Sequence, residues 1–529
     1  MRMLMNPAPA ALSGPRRIDA DGATWLLHDA AASRSAEAAA QATAAPHALM
    51  QRAGLAVARL SIALAPHAGR IVVAAGPGNN GGDGLVAALH LHRASRQVQV
   101  HLLADTARLP ADAADALLQA RNGGVAIDEG PLQSEGADLL IDALLGLGGR
   151  LPLPAAIIEA IEQINRTTCP VLAVDLPSGL DPDTGQPCGA AAVRANATLS
   201  LLTLKPGLFT GTGRDHAGTV WLDTLGVRAE GATARLLDAN DQRTARQPRA
   251  HASHKGSYGD LAVIGGASGM AGAAWLAAGA GLAAGAGRVY LSLLDHAAPA
   301  FDAQRPELML RSRWWQEPPA LLSAATVVCG CGGAAAVAVA LPALLSHAGR
   351  LVLDADALNV IAADSMLATL LRARATRGRP TVLTPHPLEA ARLLGCSVQE
   401  VQRDRLAAAA ALAARHGCVV VLKGSGTVVA EPGTLACINP TGNALLASAG
   451  TGDVLAGWIG GTWAAGAPSI SAVQAARASV WLHGRAADIG AARGRGAAAL
   501  RAADLIDTMH NAATGSIGPA IIDSGAYGS

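Results

Sequence analysis

The chain has 529 residues, more than one ordinary domain needs, and 51% are hydrophobic although aromatics supply only 2%. Two or three domains with tight alanine- and glycine-rich packing are expected. A formal net charge of +1 gives no electrostatic footprint for nucleic acid or an anionic membrane, and seven scattered cysteines without a second Cys/His pair at zinc spacing point to reduced thiols.

Prolines break up residues 1–17 where a signal peptide needs a continuous apolar stretch, so a cytoplasmic protein is expected. Alanine-rich helices should cover Ala20–Leu64. Strands and helices then alternate: strand Ile71–Ala75, a helix opening at Gly84, strand Val98–Leu103, helix Ala111–Asn122, strand Leu139–Ala143, helix Ile157–Asn165 and strand Val171–Val174. Short apolar strands between helices imply a parallel sheet covered on both faces, with ligands at the carboxyl ends of the strands. The alternation fades between Gly226 and Ala252, where the domain boundary is placed, giving domains of 1–230 and 231–529.

A second alternation follows, with strands at Leu261–Gly265, Val289–Leu293, Thr326–Cys329, Leu351–Leu353, Thr381–Leu383, Val419–Leu422 and Thr427–Ala430, and a long helix from near Asp453. Three stretches lack charge (Leu261–Gly287, Pro318–Gly349, Val454–Ala476). Their glycines and internal prolines fit buried strand–turn–helix units and not membrane spans. The halves share no repeat.

Two glycine-rich loops carry the chemistry. Gly76-Pro77-Gly78-Asn79-Asn80-Gly81-Gly82-Asp83-Gly84 and Asn443–Gly457, centred on Gly450-Thr451-Gly452-Asp453, each follow a strand and open a helix. Amides at a helix N-terminus bind phosphate, and glycine admits the ligand closely, so two sites for phosphorylated ligands are expected. In the first half, Asn79/Asn80, Asp142, Asp175 and Ser178 stand at strand ends and offer oxygens suited to a hard cation. In the second, Asp453 beside phosphate-binding amides is placed to take a proton from a hydroxyl. Lys423-Gly424-Ser425-Gly426-Thr427 suits a nucleotide phosphate or ribose, and Asp354, Asp356 and Glu389 suit Mg²⁺ held through water. Lysine is scarce: only Lys205, Lys255 and Lys423 occur, each beside glycine or proline, where a compact point charge fits and a guanidinium fork does not.

Gly76–Gly84, Asp142–Gly148 and Asp175–Asp181 closely resemble the NAD(P)H-hydrate epimerase family, which has a Rossmann-like fold. The resemblance implies that Asn79, Asn80, Gly81, Gly82, Asp83, Gly146, Leu147, Gly148, Gly149, Arg150, Leu151 and Pro152 line a hydrated dinucleotide. It also implies that Asn80, Asp142 and Ser178 hold potassium, and that Asp175 is the acid/base group. From Ser253-His254-Lys255-Gly256 to Ala503-Asp504-Leu505-Ile506 the chain resembles the ADP-dependent NAD(P)H-hydrate dehydratases, within the ribokinase-like α/β/α fold. That implies hydrate contacts at Ala273, Gly332, His386 and Asp453, and contacts to the AMP moiety at Lys423, Gly424, Ser425, Gly426, Thr427 and Gly452. Two departures stand out. The family's usual Gly-Pro-Gly-Leu-Gly reads Gly330-Cys331-Gly332-Gly333-Ala334, and the glycine usual before Glu389 is Leu388, expected to narrow the space there.

Both resemblances point to hydrated NADH or NADPH (NADHX, NADPHX) as substrate: epimerisation in the first half, dehydration with ADP in the second. K⁺ serves one site, Mg²⁺ the other, in a homo-oligomer with no nucleic-acid or membrane partner. The rival reading is a hydroxymethylpyrimidine-type small-molecule kinase with a ligand-binding N-terminal domain.

Overall fold

The computed structural model describes residues 14–148, 152–245, 248–295, 297–298, 301–302, 305–466, 468–494 and 500–515. The chain forms two compact units. One holds Trp25–Ala234 with the residues before Ala20; the other holds Arg235 onward with Ala20–Thr24.

In the first unit the strands are β1 (Arg70–Ala75), β2 (Gln97–Leu102), β3 (Ala126–Asp128), β4 (Leu139–Ala143), β5 (Val171–Val174), β6 (Ala197–Leu201) and β7 (Thr219–Asp223). They lie in the order β7-β6-β5-β4-β1-β2-β3, all parallel, with the short Arg16–Arg17 strand antiparallel outside β7. Every residue of β4 and β5 is buried, which is why these strands read as unbroken apolar runs. Helix Ala155–Arg166 buries Ile157, Ala160, Ile161 and Ile164, the three-and-four spacing of one helical face. Each isoleucine contributes roughly 1.5–3 kcal/mol of burial. The order in which successive strands are added reverses between β1 and β4, so a crevice opens at their carboxyl ends.

In the second unit the strands are β8 (Asp260–Gly265), β9 (Arg288–Leu293), β10 (Thr326–Cys329), β11 (Arg350–Leu353), β12 (Thr381–Leu383), β13 (Val419–Leu422), β14 (Val428–Ala430) and β15 (Ala436–Ile438). The order β9-β8-β10-β11-β12-β13-β14-β15 is parallel as far as β13 and antiparallel beyond it. Here the reversal falls between β8 and β10. The uncharged stretches resolve into separate elements: β8 and helix Ala271–Ala283; β10 and helix Leu341–His347; helix Thr451–Gly466 followed by Ala472–Ala492. Among the described residues no helix is long and apolar enough to cross a membrane.

Among the described residues, sequence missed β3, β6, β7 and β15, and the short strands Arg16–Arg17, Leu26–Leu27, Ala234–Leu236 and Met309–Leu310, all short or polar segments without a clean alternation. The first loop also differs. Its helix spans Asn79–Arg93, so Asn79–Asp83 form the opening turn, five residues earlier than Gly84. Two glycines in that turn, Gly81 and Gly82, hide the helical pattern from propensity alone.

Candidate functional site

The first unit gathers its polar groups at the β1/β4 crevice. Gly76 ends β1 against the β4 loop, where a β-carbon would come within 1.8 Å of the Leu144 carbonyl oxygen. Only glycine lets the two loops touch. At Gly146 a β-carbon would lie 3.1 Å from Asn80 Oδ1 and 3.3 Å from Asp175 Oδ2, so the amide and the carboxylate converge on one point.

Asp175 follows β5 with φ +66°, a conformation disfavoured for a non-glycine residue. Its N–H donates to Leu199 O (2.8 Å), and its Oδ1 accepts from Leu201 N (3.1 Å) and from Lys205 Nζ. Lys205 is buried and also donates to Leu201 O at 2.9 Å. Sequence reasoning singled out Lys205 for rarity but did not place it beside Asp175; the pairing spans thirty residues.

A cavity of about 680 Å³ is lined by Asn79, Asn80, Asp83, Gly146, Leu147, Gly148 and Asp175, together with Arg34, Glu37, Asp112 and Lys205, which sequence reasoning did not assign. Gly81 and Gly82 pack behind it, Gly82 against Met50 and Gly81 against Gly76; Pro152 is exposed. Gly149, Arg150 and Leu151 lie outside the described residues. Burial, then the negative charges of Asp175, Glu37 and Asp112, push the Asp83 carboxyl well up. Burial and Asp175 raise Glu37 similarly.

Asp142 is fully buried at the end of β4. It accepts from Ser178 Oγ (2.6 Å), Ser178 N (2.8 Å) and Leu144 N (3.3 Å). Burial outweighs these bonds and lifts its pKa to about 6. Ser178 Oγ in turn accepts from Leu145 N at 2.9 Å. Asn80 is buried, and its Nδ2 has no protein partner. The structure thus joins Asp142 to Ser178 directly and brings Asn80 to the same 144–146 turn.

In the second unit four strand ends and one helix converge. Helix Thr451–Gly466 begins with Gly450 at φ +87° and carries Asp453 in its first turn. Asp354 ends β11, and Lys423 ends β13. They form an ion pair at 2.6 Å, and Thr384 Oγ1, after β12, donates to the same Asp354 Oδ1 at 2.7 Å. The position of a β-carbon on Gly452 is 3.3 Å from Lys423 Nζ, so this lysine sits beneath the helix N-terminus. Burial works against charge on Lys423, but Asp354 and Glu389 outweigh it and raise its pKa. Arg405, buried, braces the loop by donating to Leu422 O (3.1 Å) and Lys423 O (3.2 Å). Thr427 Oγ1 closes the loop on Gly424 O at 3.0 Å.

Gly332 has φ +58°, and a β-carbon there would be 2.6 Å from Met270 O and 2.9 Å from Ala273 Cβ, which puts two expected hydrate contacts side by side. His386 caps helix Pro387–Leu394. Its Nδ1 accepts from Leu388 N (3.1 Å), and its Nε2 meets Glu389 Oε1 at 3.0 Å. Leu388 is 43% exposed, so it faces solvent and does not narrow the space beside the buried Glu389, contrary to expectation. The carboxyl of Asp453 is lifted to about 6, first by burial and then by Asp354, while the Cys331 thiol and Lys423 oppose the rise. Cys331, the departure from the family motif, is fully buried with Sγ 3.8 Å from Asp354 Oδ2.

Two strand-end clusters, each pairing a carboxylate with a rare lysine at the carboxyl edge of a doubly wound sheet, define a two-domain α/β enzyme with two candidate reaction centres. Residues 46–207 match the family described as YjeF-related protein N-terminus, and residues 261–511 match NAD(P)H-hydrate dehydratase. The bifunctional NAD(P)H-hydrate repair enzyme Nnr of Escherichia coli is 38% identical over 473 residues, covering 87% of this chain and 88% of that protein. The bifunctional enzyme of Leishmania braziliensis is 37% identical over 526 residues, covering 92% and 91%. A Bacillus subtilis ADP/ATP-dependent NAD(P)H-hydrate dehydratase, crystallised with ATP/Mg²⁺, superposes with a TM-score of 0.43 at 30% identity, over 52% of this chain and 95% of that one. The chain belongs to the family of bifunctional NAD(P)H-hydrate repair enzymes. Relatives matching across both halves leave the small-molecule kinase reading the weaker one.

Proposed function

We infer that the first unit interconverts the R and S epimers of NADHX and NADPHX, and that the second dehydrates the S epimer with ADP, releasing AMP and phosphate. The observation that carries this reading is the placement of Asp453 at a helix N-terminus beside the Asp354–Lys423 pair. Asp453 takes the proton from the hydrate hydroxyl as that oxygen attacks the β-phosphoryl group of ADP. The amides of the helix start stabilise the phosphoryl charge. Phosphate then departs where water would leave poorly.

Lys423 and the 424–427 loop hold the nucleotide with Gly452, while Ala273, Gly332 and His386 border the hydrate. Asp354 and Asp356 offer hard carboxylate oxygens held by neighbouring donors, which suits Mg²⁺ retained through its waters. Magnesium would supply charge neutralisation at the phosphates.

At the first site Asp175, positioned by Lys205, handles the proton at the inverting ring carbon, and Asn79, Asn80, Asp83 and Gly146–Gly148 border the dinucleotide. Asn80 Oδ1, Asp142 and Ser178 offer oxygens that suit K⁺, while the unpartnered Asn80 Nδ2 is a hydrogen-bond donor for the dinucleotide and not for the ion. We place the chain in the cytoplasm as a homo-oligomer. Incubation with mixed hydrate epimers and ADP, followed by chromatography, tests the reading. Loss of both epimers with AMP, orthophosphate and NAD(P)H as products is expected; a stable phosphorylated product instead would overturn it.

A further inference from the structure

The Cys331 thiol has a consequence for metal binding. Cys331 Sγ and carboxylate oxygens of Asp354 and Asp453 lie within 4.8 Å of one another. Lys423 and Thr384 both bind Oδ1 of Asp354, which leaves Oδ2 turned to the sulfur at 3.8 Å. For tetrahedral zinc, bond lengths of about 2.3 Å to sulfur and about 2.0 Å to oxygen put the donor atoms roughly 3.3–3.5 Å apart. The Cys331–Asp354 pair, at 3.8 Å, needs to close by about 0.3 Å, and no pair by more than about 1.5 Å. Charge balances as well: a thiolate and two carboxylates against the Lys423 ammonium leave two negative charges, matching a divalent cation. Thiolate ligation favours zinc or cadmium over magnesium, which prefers oxygen and keeps its waters.

We propose that Cys331, Asp354 and Asp453 form a site for a thiophilic divalent cation, Zn²⁺ or Cd²⁺, that occupies the Asp453 carboxylate. Binding breaks the S–H bond and forms a metal–sulfur bond. The proton goes to solvent, and water from the incoming ion's hydration shell completes the tetrahedron. No electron transfer is involved. The inference goes beyond the repair reaction, since metal uptake is read without turnover.

The test uses the full chain freed of metal and titrated with Cd²⁺ and, separately, Zn²⁺. The first cadmium equivalent should bring an ultraviolet charge-transfer band from a cadmium thiolate. Cys331→Ala, and Cys331→Pro, which restores the family's usual Gly-Pro-Gly, should each weaken the first zinc equivalent at least tenfold. Circular dichroism checks their folding, and Cys331→Ser, close to cysteine in volume, takes their place if neither folds. Where dehydration is active, zinc should inhibit the wild type reversibly, relieved by chelator, and inhibit Cys331→Pro less. A first cadmium equivalent without a thiolate band would overturn the proposal. So would equal zinc affinity in the wild type and a folded Cys331 variant, which would place the metal on one of the other six cysteines or on carboxylates alone.

Discussion

Lys205 Nζ is bonded to Asp175 Oδ1 while Asp175 holds a positive φ at the end of β5. The lysine is buried and the carboxylate nearly so, so each needs the other: a buried charge without a partner is costly. The pair also leaves Asp175 Oδ2 facing Asn80 and Gly146, where the proposed reaction needs the dinucleotide ring.

Lys205→Met therefore leaves Asp175 without its buried partner and free to swing away, and epimerisation should fall by about 10²-fold or more, within the range for losing a positioned acid/base group. Dehydration of the S epimer should persist. Following the two hydrate peaks over time checks this, and wild-type epimerisation in a folded Lys205→Met would detach the lysine from the reaction.

Asp453→Asn should lower dehydration by about 10²–10⁴-fold with epimerisation intact. The pH dependence follows from the same group. Its active form is the anion, and its pKa is raised to about 6. The rate should level off above that value and fall about tenfold per unit of pH below it. The Cys331 thiol is one of the groups that lower the Asp453 pKa, so Cys331→Ala should move the acid limb to higher pH. A limb that stays near pH 4 in wild type would remove Asp453 as the base.

Much of this was legible in the sequence. Apolar runs such as Leu139–Ala143 and Val419–Leu422 mark strands because both sheet faces are covered, and the strand-end acids Asp142, Asp175 and Asp354 follow from them. What sequence does not carry is side-chain pairing across distance. Lys205 with Asp175, Lys423 with Asp354 across 69 positions, and Glu37 in the first cavity are set by tertiary packing, and no local pattern records them. The rarity of lysine pointed to two of the three without naming their partners. The exposure of Leu388 depended likewise on the helix that His386 caps.

Lys423→Arg should weaken nucleotide use although charge is kept. The ammonium sits 3.3 Å from the β-carbon position of Gly452 and 2.6 Å from Asp354, a gap that a planar guanidinium cannot occupy without shifting one of them. The measurement is an ADP titration of the dehydration rate, and an unchanged half-saturation would remove Lys423 from the nucleotide site.

Replacing K⁺ by a bulky organic cation should slow epimerisation, and Asp142→Ala should do so at any K⁺ level, because Ser178 then loses both bonds to the carboxylate. Equal epimerase rates in potassium-free buffer would sink the cation site.

The two units also allow the reactions to be separated. A fragment starting at Arg235 lacks Ala20–Thr24, whose Ala20 carbonyl accepts from Ala239 N (3.0 Å) and Trp481 Nε1 (3.3 Å), and whose Thr24 hydroxyl donates to Asp238 (2.8 Å). At roughly 1 kcal/mol net per bond, this fragment should unfold at a lower temperature than the second unit does in the full chain. Adding a peptide of residues 18–26 at high concentration should recover part of the loss. Once folded, the fragment should consume the S epimer rapidly, and the R epimer no faster than it converts spontaneously. Adding the first unit in trans should restore consumption of both, because the hydrate diffuses between sites, and Asp175→Asn in that added unit should abolish the rescue. Rapid loss of both hydrate peaks with the second unit alone would show that the first does something other than epimerise.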